Sequence, residues 1–297
     1  MSNTTIVNKE YKDRLFSFIF GDPDNRRWTL SLYNAVNGSD YKDPNAIQIK
    51  TIKEVLYLGM HNDVSFQILD VINLYEQQSS YNPNMPLRQM QYAGNVYERY
   101  IKEHKLNKYG STLLVLPAPR LITFYNGLYN EPDERILKLS DSFTKGVKGD
   151  IEVTVRMLNI NYGKNKTLLD ACKPLKEYAW FIAEIRKNQK TMDIMNAVDK
   201  AINNMPVDFE IKPFLEAHKS EVQGMLLTEY NEVETMELFR EEGRKEERAN
   251  TERERERADA AEARADTAEA RADTAEARVK ELEELLAAAN RLPNIGG

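Results

Sequence analysis

The sequence predicts an α/β sheet domain, followed by a helical subdomain and a charged coiled-coil tail. Three observations carry this. Two runs, VSFQIL and VINLYEQQ, are rich in strand-forming residues and meet at Leu69-Asp70. From Thr167 onward apolar residues recur at spacings of three and four, the period of a helix buried on one side. From Arg240 the apolar content falls and a seven-residue unit repeats, ADAAEAR and then ADTAEAR twice. These changes divide the chain at 1–165, 166–239 and 240–297.

The elements follow in order. In KEYKDRLFSFIF, residues 9–20, Tyr11, Leu15, Phe18 and Ile19 share one helical face, and Gly21 with Asp22-Pro23 stops the helix. A second helix is expected from Arg26 to Val36, ending at Asn37-Gly38. AIQIKTIKEVLYLGM, residues 46–60, supplies one or two strands. After the pair at 64–78, YNPNMP is a loop, and Pro86 suits the first turn of a helix running from Leu87 to His104. TLLVLPAPRLITFY, residues 112–125, reads as a central strand interrupted at Pro117 and Pro119 and closed by Asn126-Gly127. IEVTVRMLNI at 151–160 alternates cleanly and adds one more strand.

The chain of 297 residues is long enough for a sizeable core. No apolar run approaches the roughly 18 residues of a membrane span, and the stretch MSNTTIVNKEYKDR has no apolar segment of the secretory kind. A lone Cys172 excludes an internal disulfide framework and fits a reducing compartment, so the expected location is cytoplasmic. Three scattered histidines argue against a His/Cys zinc site. The net charge of −6 weighs against a nucleic-acid protein, because phosphate contacts need Lys/Arg surfaces. Local patches matter more than the total.

The chemistry concentrates at residues 63–78. A tight hairpin at Leu69-Asp70 sets residue 68 opposite 71, and the same register sets Asp63 opposite Glu76. Two carboxylates so opposed repel unless a divalent cation lies between them, since hard cations take carboxylate oxygens. Gln78, two residues on, projects from the same face about 7 Å along the strand. A slip of one residue in register would flip every side chain and dissolve the cluster. Each residue has a plainer reading. Asn62-Asp63 is also a turn dipeptide. Glu76 is also an edge-strand charge that blocks aggregation. Arg88, near the start of the following helix, is a bidentate phosphate ligand, a first-turn surface arginine or the structural partner of a carboxylate.

The Asp…Glu-x-Gln arrangement resembles the PD-(D/E)XK nuclease superfamily, with Gln78 where the superfamily usually has Lys. Asn62-Asp63, LYEQQSSYNPNMPLR at 74–88 and LPAPRLITFYNG at 116–127 are similar to the Rpn family, bacterial recombination-promoting nucleases often labelled transposases. The likeness covers roughly residues 9–245. It implies a restriction-endonuclease-like αβββαβ core and a Mg²⁺- or Mn²⁺-dependent DNA endonuclease with a part in recombination or mobile-element biology. The metal ligands it implies are Asp63, Glu76 and, from the first helix, Asp13, which is equally a solvated first-turn carboxylate. Asp63, Glu76 and Gln78 take the catalytic roles and Arg88 a substrate-binding one. A catalytically inactive protein that binds nucleic acid or drives assembly is the alternative, favoured by Gln78 and the acidic balance.

In the tail, placing Ala258, Ala265, Ala272, Val279 and Leu286 at heptad position a puts Ala261, Ala268, Ala275, Leu282 and Ala289 at d. Arg264 then meets Glu269 of a second parallel chain, a homotypic coiled-coil pattern that predicts a homo-oligomer, most simply a dimer. A lone charged helix is the rival, because alanine seams bury little surface and Ala and Arg are strong helix formers.

Overall fold

A computed structural model of the protein describes residues 15–49 and 64–289. The chain is mixed α/β, built on a six-stranded sheet with strands β1 Ile47–Ile49, β2 Val64–Ile68, β3 Val71–Gln78, β4 Ala118–Tyr125, β5 Glu134–Lys138 and β6 Thr154–Asn159. Their spatial order is β1-β2-β3-β4-β6-β5. The first three strands form an antiparallel meander, β3, β4 and β6 run parallel, and β5 returns antiparallel at the far edge.

The hairpin has the expected register, with Ile68 opposite Val71, Phe66 opposite Asn73 and Val64 opposite Tyr75. Leu-Asp is a weak hairpin signal, and the backbone shows how the turn is made. Leu69 takes a left-handed φ of 51°, the conformation that glycine supplies in tight hairpins. Its side chain is mostly exposed, so nothing in the core requires leucine there. Leu69→Gly is therefore expected to stabilise the fold by about 0.5–1 kcal/mol. It relieves the left-handed penalty of roughly 1–2 kcal/mol at some cost in unfolded-chain entropy. A denaturant midpoint that does not move would show that the turn carries no such strain.

The two faces of the sheet bury different partners. Val64, Phe66, Tyr75, Phe124 and Leu158 pack against helices α1 Leu15–Phe20, α2 Arg26–Asn37, α4 Lys166–Ala171, α5 Lys173–Asn188 and α6 Ile194–Asn204. Edge-to-face aromatic pairs line this core: Phe66 with Tyr75 at 5.1 Å, Tyr75 with Phe124 at 5.2 Å, and Phe16 with Tyr178 at 5.8 Å. The other face is covered by α3 Met85–Glu103. Ile72 and Leu74 of β3 pack on Tyr92 and Val96, while Tyr125, Val155 and Met157 pack around Met85.

α2 ends at Gly38 with φ 63°, the left-handed cap expected of Asn37-Gly38. Helices α7 Lys212–Ala217 and α8 Lys219–Ala289 follow. By contacts the chain falls into two compact units, Met1–Val233 and Glu234–Gly297. The second is helical over its described residues.

Several boundaries differ from expectation. TLLVLPAPRLITFY is a strand only from Ala118, and Leu113 and Val115 are exposed. Pro117 ends the segment before the strand, and its carbonyl accepts the Tyr97 hydroxyl at 2.8 Å. β5, with three of its five residues charged, lies where no strand was expected. The helix expected through Cys172 breaks there into α4 and α5, with Cys172 extended and Pro174 in the first turn of α5. A second break falls at His218, where α7 ends and α8 begins.

Candidate functional site

Glu76 sits near the end of β3 with 1% of its surface exposed, beside Gln77 and Gln78, which are also buried. Because β3 lies between β2 and β4, the edge-charge explanation of Glu76 is excluded. Alternation along the strand puts Glu76 and Gln78 on the face covered by α3, in line with Ile72 and Leu74.

α3 supplies the counter-charge. Arg88, one turn into the helix, brings Nη2 to 2.6 Å from Glu76 Oε1. The same nitrogen donates to the Tyr92 hydroxyl at 3.0 Å, and the guanidinium lies 5.9 Å from the Tyr92 ring centre. The ring thus fixes the cation from the side. Gln78 Nε2 donates to Glu76 Oε1 at 3.3 Å and meets Met85 Sδ at 2.8 Å. A carboxylate, an amide and a guanidinium therefore converge between an interior strand and the first turns of α3. In this structure Arg88 is the partner of a carboxylate.

The strand ends that carry the site are fastened together. Asn126 N–H donates to the Gln78 carbonyl at 2.8 Å. Next to it Gly127 runs so close that an added Cβ would fall 2.5 Å from the Ser79 carbonyl oxygen, which requires glycine. Arg186 of α5 donates to Asn126 and, at 2.9 Å, to Asn161 Oδ1. Tyr125 is buried and exchanges hydrogen bonds with the Tyr129 backbone.

Asp63 and Asp13 lie outside the described residues. Among the described residues no group of three or more His, Cys, Asp or Glu is placed to hold a metal ion. The donor that Glu76 offers is a hard carboxylate oxygen, which suits Mg²⁺ or Mn²⁺, while Gln78 turns its amide nitrogen to that carboxylate. Such a cation often uses one or two carboxylates and completes its shell with substrate phosphate and water.

Two other titratable groups are buried away from Glu76. Glu177 of α5 is 2% exposed, and burial raises its pKa. It accepts the Ile211 N–H at 3.0 Å, a tie between α5 and the start of α7. Cys172 is buried, and loss of solvation pushes its thiol up to about 11, so it is not a thiolate nucleophile near neutral pH.

Thr123 and Gln89 were not legible as site residues, since a strand Thr and a helix Gln are routine. Both are fully buried on the α3 face. No helix among the described residues is long and apolar enough to cross a membrane. Compared with family models, with curated proteins and with solved structures, the chain matches none.

Proposed function

We propose that the protein is a divalent-cation-dependent DNA endonuclease of the PD-(D/E)XK kind, related to the Rpn nucleases and acting in the cytoplasm on recombining or mobile DNA. The observation that carries this reading is the pair Glu76 and Gln78, buried side by side on an interior strand and met by Arg88. The hairpin register adds support, because the pairing found, with Val64 opposite Tyr75 and Ile68 opposite Val71, is the one on which the sequence reading of the site rests. The order of the described elements around the site, helices, three antiparallel strands, helix and parallel strand, supports the reading too, being the order expected of an αβββαβ core.

In this reading Asp63 and Glu76 hold Mg²⁺ or Mn²⁺, with Asp13 a further candidate ligand. The bound cation supplies Lewis acidity and lowers the pKa of a water nucleophile. Glu76 is held for this by Arg88 and Gln78, and α3 excludes bulk water from its side of the strand. Gln78 orients Glu76 and the reacting water, but it lacks the charge of the Lys it replaces. Arg88, a cation at 2.6 Å from Glu76, takes over the steadying of negative charge on the scissile phosphate.

Supercoiled plasmid incubated with purified protein tests this directly. Nicking is expected with Mg²⁺ or Mn²⁺ and not with EDTA. Absence of cation-dependent nicking would favour the second reading, an inactive nucleic-acid-binding or assembly protein, for which Gln78 and the net charge of −6 speak.

Both readings include self-association through the tail as a parallel coiled coil. Val279 and Leu282, at a and d of the heptads, are exposed on the single chain and would face their counterparts in a dimer. Truncation after Glu247 is expected to lower the mass seen by light scattering to that of a smaller assembly. An unchanged assembly state would make the tail a single helix.

A further inference from the structure

Parallel pairing of β3 with β4 puts Thr123 directly beside Glu76, Leu121 beside Leu74 and Tyr125 beside Gln78. Leu121 and Tyr125 both pack on the α3 side, so Thr123, between them in the alternation, faces the same way. On α3, Met85 covers the Gln78 end of the strand pair, and Tyr92 covers the Leu74 end. Gln89 follows Met85 by four residues and precedes Tyr92 by three, so it shares their sheet-facing stripe. Helical period and strand register together set Gln89 over the strands at the level of Glu76 and Thr123.

Both side chains are completely buried. The Thr123 Oγ1 and both amide atoms of Gln89 have no hydrogen-bond partner among the described protein groups. Buried polar atoms are rarely left so, because each unmade bond costs about 1–3 kcal/mol. Valine and methionine would fill the same volumes without that penalty.

Two such side chains at the level of a buried carboxylate point to a shared role. We infer that Thr123 and Gln89 are positioning residues of the Glu76 site, bridged by a buried water that fixes the carboxylate for the cation. Their hydroxyl and amide offer the two to four polar partners that a buried water takes. The inference rests on reading Glu76 as a cation ligand. It assigns the site two members with no charge of their own, one on the neighbouring strand and one on the helix above.

The test uses the full-length chain and Mn²⁺ alone as probe, reading the rise in melting temperature above each protein's own EDTA value, with plasmid nicking in parallel. Thr123→Val and Gln89→Met are expected to raise the Mn²⁺ concentration for half the effect by roughly 10- to 100-fold, the usual loss when a ligand's supporting hydrogen bonds are removed. Thr123→Ser keeps the hydroxyl and is expected to restore the wild-type midpoint. Unchanged midpoints in both apolar variants would overturn the inference while leaving the nuclease reading intact, and so would a Thr123→Ser midpoint as displaced as that of Thr123→Val. If wild type itself shows neither nicking nor a thermal response to Mn²⁺, the nuclease reading fails and the inference falls with it. Should Thr123→Val not fold, the Gln89→Met and Thr123→Ser midpoints decide alone.

Discussion

Glu76→Gln is expected to lower cation-dependent plasmid nicking by at least about 10²-fold, the scale of losing one preorganised electrostatic group, while the protein stays folded. Folding should survive because the replacement is nearly isosteric and its carbonyl still accepts from Arg88. The guanidinium left behind is 30% exposed and can take up water, so it is not stranded as a buried charge. The activity should not survive, because a neutral amide binds a hard divalent cation far more weakly than a carboxylate does. Asp63→Asn is expected to behave alike, since both acids are proposed to share the cation. Equal nicking by the Glu76 variant and wild type would trace the activity to a contaminating nuclease and remove the assignment.

How much of this was legible in the sequence depended on range. The hairpin register follows from local alternation around Leu69-Asp70, and it is the register found. Glu76 stood out because a carboxylate inside an apolar strand needs a reason. That the reason is not edge protection was beyond local reading, because it depends on β4 pairing with β3 across an intervening helix. β5 was missed because Glu134, Ile136 and Lys138 face outward, leaving a five-residue edge strand with little apolar signal. At TLLVL hydrophobicity does not mean burial: Leu113 and Val115 are exposed, and pairing begins only after Pro117, with Pro119 accommodated inside β4 opposite Ile72. Thr123 and Gln89 carry no signal in one dimension. Only register and burial together place them near a carboxylate.

Arg88→Met is expected to have the largest effect on stability, about 3 kcal/mol of destabilisation. The two partners of the ion pair are not equivalent: the Glu76 side chain is 2% exposed and the Arg88 side chain 30%. Removing the guanidinium takes away the contact at 2.6 Å and leaves the carboxylate where water reaches it poorly, the situation that costs about 3–5 kcal/mol in proteins. The Gln78 amide, at 3.3 Å, is neutral and long, so it offsets only part of that loss. The lower end of the range is therefore expected, which for a compact unit of this size means a fall in melting temperature of about 6–12 °C. Glu76→Gln alone should cost less than about 1 kcal/mol, since the cation it leaves can rehydrate. In the Glu76→Gln/Arg88→Met double variant neither charge remains, and most of the loss should be recovered. The expected coupling between the two positions is about 2–3 kcal/mol. Additive losses in chemical denaturation would mean that Glu76 and Arg88 contribute independently and do not act as an ion pair, and the proposed site would lose the contact that holds its carboxylate for a cation.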